Sequence, residues 1–110
     1  MRYQFINAIP GGTNAAVNQT TTGFEKPKYQ LAAFQLVAST LDASDGVIKL
    51  QDSLDGLNWN DITGATLTVS SGSSSNMIRY TAFTGMFIRA VWTKNSITTG
   101  TILGNFLFKE

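Results

Sequence analysis

The stretch 47–62 limits most strongly what this chain can fold into. Its first part alternates with a period of two, and Ile48 and Leu50 fall on the apolar face of a predicted strand. Asp55-Gly56 comes next, and this pair favours a tight turn because glycine adopts a positive φ without steric cost. Trp59 then lies on the returning segment. The stretch predicts a β-hairpin with a tryptophan just after its turn.

The rest of the chain shows the same alternation between turn-forming residues, and no segment has a helical period. Further strands are predicted in Arg2–Ile9, Tyr29–Leu41, Thr66–Ser70, Met77–Ala82, Met86–Thr93 and Thr101–Lys109. Apolar side chains that share a strand face are Phe34, Leu36, Ala38, Ile88, Ala90, Trp92, Ile102, Phe106 and Phe108. Gly104 predicts a bulge or a close backbone approach, and the run Ser71–Ser75 predicts a flexible loop. The sequence therefore predicts an all-β fold, a small antiparallel β-sandwich or jelly-roll-like domain of about eight strands.

The N-terminal quarter differs in composition from the rest of the chain. Residues 13–28 are polar and nearly featureless, which is typical of a loop or an extended arm. We expect residues 1–28 to form an N-terminal strand and extended arm, and residues 29–110 to form the sandwich. An arm of this kind would lie over a neighbouring subunit, and its removal would leave a folded domain. The candidate interface residues in it are Pro10, Gly11, Thr13, Asn14, Val17 and Phe24.

Composition narrows the functional classes. The chain has 110 residues, enough for one domain with a core of its own, and it contains neither cysteine nor histidine. The commonest general base and the thiolate nucleophile are therefore missing, and we expect no enzymatic activity, with a small enzyme that uses a pair of aspartates as the weaker alternative. The net charge of +1 predicts no binding to nucleic acid or to a membrane surface. Charged residues make up only 14% of the chain, which is compatible both with a surface that faces neighbouring subunits and with an ordinary threonine-rich β-domain.

The aspartates cluster within a short part of the sequence: Asp42, Asp45, Asp52, Asp55 and Asp61. Two interpretations stay open. Oxygen ligands at this spacing are compatible with a structural Ca²⁺ ion, although the EF-hand spacing fails because Ile62 stands where the bidentate glutamate belongs. Aspartate before glycine is also expected from local turn chemistry alone, and that is the interpretation we favour. No other cofactor is expected.

Aromatic residues offer a candidate sugar platform. Trp59 lies after the hairpin turn, and its neighbours Asn58 and Asp61 carry groups that bond to sugar hydroxyls. These residues are the glycan-binding candidates, although core packing is the interpretation we favour for Trp59. Arg79 and Arg89 fall on neighbouring predicted strands and are expected to share a face.

The hairpin, Leu50-Gln51-Asp52-Ser53-Leu54-Asp55-Gly56-Leu57-Asn58-Trp59 continued through Gly64-Ala65-Thr66, resembles a pattern found in small β-sandwich proteins of tailed-phage particles. It also resembles the hairpin of discoidin-like modules. The phage resemblance implies a non-enzymatic virion structural protein, a capsid-decoration or minor head protein and less readily a tail or fibre component. Such a protein would be made in the host cytoplasm, form a homo-oligomer such as a trimer, and contact the major capsid protein. The discoidin-like resemblance implies the alternative, a glycan-binding module that is free or displayed on a particle.

Overall fold

Two antiparallel sheets packed face to face make up the structure, which is a computed structural model describing residues 3–25, 31–80 and 86–109. The strands are β1 (Tyr3–Asn14), β2 (Gln19–Thr20), β3 (Phe24–Glu25), β4 (Leu31–Leu41), β5 (Gly46–Ser53), β6 (Asn60–Val69), β7 (Gly72–Tyr80), β8 (Phe87–Thr93) and β9 (Thr101–Lys109). The short β2 and β3 pair one after the other with β8, so they act as two pieces of one edge strand. The predicted all-β sandwich of about eight strands is confirmed.

The strand order brings distant parts of the sequence together. The first sheet has the order β1-β9-β4-β7, and the second has β2-β8-β5-β6, with β3 also on β8. The chain passes from the second sheet to the first between β6 and β7 through Ser70 and Ser71. In the second sheet β5 lies between β6 and β8. β6 follows β5 in the sequence, whereas β8 does not, so the pairing of β5 with β8 joins distant parts of the chain.

The core lies between the sheets and agrees with the predicted alternation. Its fully buried large side chains are Trp92, Phe34, Phe106, Phe108, Leu36, Ile48, Leu50, Ile88, Ile97, Ile102 and Val69. Phe106 is central, since its ring meets Phe34 edge-on at 4.7 Å between centroids and stacks on Phe108 at 5.4 Å. Gly104 faces the same layer, and a Cβ there would lie 2.5 Å from Cζ of Phe34. The sequence predicted a bulge or a close backbone approach at Gly104, and the atoms that approach it in the structure are those of core side chains, Phe34 and Ile9.

The N-terminal segment is part of the sandwich over residues 3–25, and this differs from the expected extended arm. β1 pairs with β9 from Tyr3 to Asn14, with irregularities at the stretch that contains Pro10. Ala15 is fully buried and accepts a hydrogen bond from the Trp92 indole at 3.0 Å. The polar composition suggested an arm because side chains at a sheet edge face solvent while the backbone is paired. The expected boundary at residue 28 lies outside the described residues.

Two further expectations need correction. Ser73–Ser75 belong to β7 rather than to a flexible loop, because their backbone pairs with β4, for example Ser74 with Ala38. Arg79 and Arg89 lie on different sheets, in β7 and β8, because the connection between these strands changes sheet. The two arginines therefore do not share a face. Among the described residues there is no helix long and apolar enough to cross a bilayer.

Candidate functional site

The loop between β5 and β6 is held in one shape by its own side chains. Oδ1 of Asp55 accepts hydrogen bonds from the backbone amides of Leu57 and Asn58 at 2.8 and 2.9 Å. The hydroxyl of Ser53 donates to the same oxygen at 2.9 Å and accepts from the amide of Gly56. Gly56 has φ of 77°, as the predicted turn requires. These bonds, those from the backbone of Asn58 and Leu57 above all, hold the pKa of Asp55 well below its ordinary value of 3.8.

Asn58 therefore has a structural task in this loop. Its amide nitrogen Nδ2 donates to Oδ2 of Asp55 at 2.8 Å, so the side chain predicted to bond a sugar is used to close the turn. This bond holds the backbone that leads into Trp59. Trp59 directly precedes β6, which begins at Asn60.

Trp59 is half-buried and lies between two different neighbours. Its six-membered ring packs against Gly23, where a Cβ would lie only 2.6 Å from Cη2. The guanidinium carbon of Arg89 lies 4.3 Å from the centroid of the indole, a cation–π contact. Trp59 is therefore neither a core residue nor an open platform. Part of the indole surface faces solvent, and the guanidinium of Arg89 lies over its ring.

A row of hydrogen-bonded side chains continues from Arg89 across the sheet. Nε of Arg89 donates to Oε1 of Gln51 at 2.9 Å, and Nε2 of Gln51 donates to Oδ1 of Asp61 at 2.8 Å. Nζ of Lys49 completes the row with an ion pair to Asp61 at 3.2 Å. The bond from Gln51, and next the contact with Lys49, lower the pKa of Asp61 from its ordinary value.

Strand register explains why these side chains meet. Gln51 is the cross-strand partner of both Arg89 on β8 and Asp61 on β6, so the three side chains stand side by side on the outward face. β6 departs from regular pairing between Asp61 and Thr66, where Gly64 has φ of 81°. We call the group Lys49, Gln51, Trp59, Asp61 and Arg89 the Trp59 face.

Of the predicted glycan candidates, Trp59 and Asp61 lie on the Trp59 face, and Asn58 supports it from the loop. Lys49, Gln51 and Arg89 were not predicted. Their outward position could be read from the alternation of β5 and β8, but the pairing of these two strands could not.

The predicted interface residues lie elsewhere. Those from Pro10 to Asn14 belong to β1, and the side chain of Phe24 packs edge-on against Phe106. Val17 is half exposed in the turn after β1. Pro10 and Thr13 help to line a small open cleft of about 50 Å³ between β1 and β2. None of these residues forms part of the Trp59 face.

The other aspartates support loops. Asp42 accepts hydrogen bonds from the amides of Thr98 and Thr99 and from the Thr98 hydroxyl, and these bonds lower its pKa. Asp45 accepts from the amide and hydroxyl of Ser96. Over the part of the chain that the structure describes, no three acidic side chains come together to hold a metal ion. The calcium interpretation stays a prediction. Local turn chemistry accounts for Asp55, whereas Asp42 and Asp45 bond to residues 96–99, more than fifty positions away in the sequence.

Comparison with known proteins gives a likeness of fold. No family model matches the chain, and neither does any curated protein. Among solved structures, the chain is similar to the C-terminal CBM6 of LamC, a laminarinase from Zobellia galactanivorans, with a TM-score of 0.57, 10% identity, and coverage of 98% of this chain and 100% of that one. It is also similar to CBM86, a low-affinity xylan-binding module from Roseburia intestinalis, with a TM-score of 0.55, 10% identity, and coverage of 99% and 96%.

A third similar structure is a CBM4 module, with a TM-score of 0.54 and 14% identity. The alignment covers 93% of this chain but 66% of the other, so the chain spans just under two thirds of that module's length. All three neighbours are carbohydrate-binding modules, and at these identities they establish that this chain shares their sandwich fold.

Proposed function

We propose that this chain is a non-catalytic glycan-binding module and that the Trp59 face is its binding site. The observation that carries the proposal is the position of Trp59, a partly exposed indole at one end of a row of hydrogen-bonding side chains. Sugar rings combine apolar C–H faces with a rim of hydroxyls, so they need a flat apolar contact beside polar donors and acceptors. The sandwich fold shared with carbohydrate-binding modules supports this assignment.

Each member of the Trp59 face has a task in this proposal. The indole offers the part of its surface that faces solvent to the C–H face of one sugar, beside the guanidinium that lies over its ring. Asp61 accepts hydrogen bonds from hydroxyls, since its side chain keeps 58% of its surface open while it contacts Gln51 and Lys49. Lys49 and Gln51 hold Asp61 in place, so little side-chain freedom is lost when the ligand binds.

The test compares wild type with Trp59→Ala on a panel of plant, algal and bacterial polysaccharides, by affinity electrophoresis and calorimetry. Trp59→Ala is expected to weaken binding at least about tenfold, the effect of losing about 1.4 kcal/mol of aromatic contact. The matched control is Leu57→Ala, because Leu57 lies in the same loop and is 82% exposed. Binding to no saccharide, or binding that Trp59→Ala leaves unchanged, contradicts the proposal.

A second candidate is the virion structural role implied by the hairpin, and one observation favours it. Phe5 and Leu107 are cross-strand partners on the outward face of the first sheet, and 66% of Phe5 is exposed. An exposed apolar pair of this kind is typical of a subunit contact. The expected homo-oligomer, the capsid partner and the virion location stay predictions, and both roles are compatible in a module displayed on a particle.

Light scattering on a sizing column over a concentration series tests the assembly role. A trimer or larger species that Phe5→Ser converts to monomer supports it. A monomer of 11.9 kDa at every concentration contradicts self-assembly through this face.

A further inference from the structure

The charge on the Trp59 face points to a chemical class of saccharide. Resting on the proposed function, we propose that the ligand is an acidic glycan, whose carboxylate or sulfate oxyanion pairs with the terminal amino groups of Arg89. Arginine suits such groups because its planar guanidinium presents parallel N–H donors that match an oxyanion.

Arg89 is oriented by the protein in a way that leaves these donors available. The guanidinium carbon lies over the Trp59 ring, and Nε donates to Gln51. Among the side chains that the structure describes, none accepts a hydrogen bond from the terminal nitrogens Nη1 and Nη2. A half-buried arginine held at Nε and over an indole in this way is preorganised for an anion.

The charge balance of the row leads to the same conclusion. The two cations of the row are Lys49 and Arg89, and its one carboxylate is Asp61. Lys49 forms an ion pair with Asp61, whereas the neutral amide of Gln51 stands between Asp61 and Arg89. Counted over its own members, the row therefore carries one net positive charge, next to the indole that would receive the sugar.

An alternative task for Arg89 is to fix the indole for a neutral sugar. The two tasks differ in measurable ways. A positioning arginine would leave binding insensitive to the charge of the polysaccharide and nearly insensitive to salt. An arginine that binds the ligand's oxyanion makes affinity depend on both, because exposed charge pairs are screened by salt.

The experiment uses polysaccharides that differ only in charge. Polygalacturonate is compared with the same polymer after methyl esterification, and a sulfated galactan with its desulfated form, so that carboxylate and sulfate are tested separately. We expect at least tenfold tighter binding to the acidic member of one pair, and loss of that preference as NaCl rises from 50 to 500 mM. Arg89→Gln should remove the preference.

Arg79→Gln is the matched control, because it removes the same charge from the exposed, opposite sheet face. Thermal melting checks that both variants fold, and Arg89→Lys, which keeps the charge without the planar fork, should recover part of the preference. An equal loss in Arg79→Gln shows general charge attraction and overturns the inference. Neutral and acidic polymers bound equally through Trp59 overturn it while the proposed function stands. Binding to no polymer overturns both.

Discussion

The indole nitrogen of Trp92 donates a hydrogen bond to the carbonyl oxygen of Ala15 at 3.0 Å, and both residues are fully buried. Trp92 belongs to β8 of the second sheet, whereas Ala15 comes directly after β1 of the first. The amide of Ala15 donates in turn to the carbonyl of Gly100, just before β9. The N-terminal segment is therefore joined to both sheets at a point that water does not reach.

Trp92→Phe tests how much this junction stabilises the fold. The substitution leaves the Ala15 carbonyl without its buried donor and opens a void beside it, so we expect a loss of about 2–3 kcal/mol in the free energy of unfolding. Urea denaturation monitored by circular dichroism measures it. The exposed Leu57→Ala is the control, with an expected change within about 0.5 kcal/mol. Equal stabilities for the two variants would mean that the hydrogen bond contributes nothing.

Deletion of residues 1–25 is expected to abolish folding. It removes Ile9, Ala15 and Phe24 from the core or its border and leaves β9 as an open edge of its sheet. The sequence alone led to the opposite expectation, a folded domain without its arm. A cooperative thermal unfolding transition in the truncated chain would contradict this prediction and support the expectation from the sequence. Phe5→Ser, a change at an exposed position of the same segment, should keep the fold.

The sequence predicts the buried faces well and the contacts between strands poorly. Ile48 and Leu50 could be assigned to the core because a half-buried strand alternates, and this depends on local geometry alone. Gln51 and Arg89 are thirty-eight positions apart, and their contact depends on β5 pairing with β8 rather than only with its neighbour β6. Pairing between distant strands is decided by the whole topology, which a single sequence does not encode locally.

The structural roles of small residues are hard to predict from the sequence for a related reason, because they depend on contacts with distant residues. The serines of β7 resemble a linker, but an edge strand needs little from its side chains when its backbone is paired to β4. Gly46 resembles the end of a turn, yet a Cβ there would collide with the ring of Trp92. The space that a core aromatic requires becomes visible only when both residues are placed.

Gly104→Ala should reveal that kind of close contact at another position. The added methyl group would lie 2.5 Å from Phe34 Cζ, and we expect overpacking to cost about 1–3 kcal/mol of unfolding free energy. Phe34→Leu removes the colliding atom, so the double variant should lose less stability than the sum of the single ones. The control cycle combines Gly64→Ala with Phe34→Leu, because nothing lies within 4 Å of a Cβ at Gly64. The stability cost of Gly64→Ala comes from its φ of 81° and should add to that of Phe34→Leu. Additivity in both cycles would contradict the predicted contact.

Asp55 should make stability depend on pH. Its pKa is lowered on folding, mainly by the amides of Asn58 and Leu57, so the folded chain binds protons less readily than the unfolded chain. The stabilisation is therefore complete above the ordinary pKa of 3.8 and is lost as the pH falls below it. Asp42 and Asp61 shift in the same direction and add to the effect.

Thermal melting between pH 2 and pH 7 measures that dependence, with Asp55→Asn as the variant. Asp55→Asn should lower the melting temperature at pH 7 and should lose less than wild type as the pH is lowered. Leu57→Ala changes no titratable group and should match the wild-type profile. Parallel profiles for wild type and Asp55→Asn would show that this carboxylate does not stabilise the loop.

Gly23→Ala should disturb the Trp59 face while leaving the fold intact. The new Cβ would lie 2.6 Å from Cη2 and 2.8 Å from Cζ2 of Trp59, at the far end of a partly exposed side chain that can move aside. The cost in stability should stay below about 1 kcal/mol. The indole would nevertheless leave its place beneath Arg89, so saccharide binding should weaken several-fold, and the indole N–H resonance of Trp59 should shift in the NMR spectrum. Gly11→Ala adds the same group near Leu103, away from this face, and should change neither observable. A Gly23→Ala protein with a shifted resonance and unchanged binding would show that the position of the indole does not determine binding.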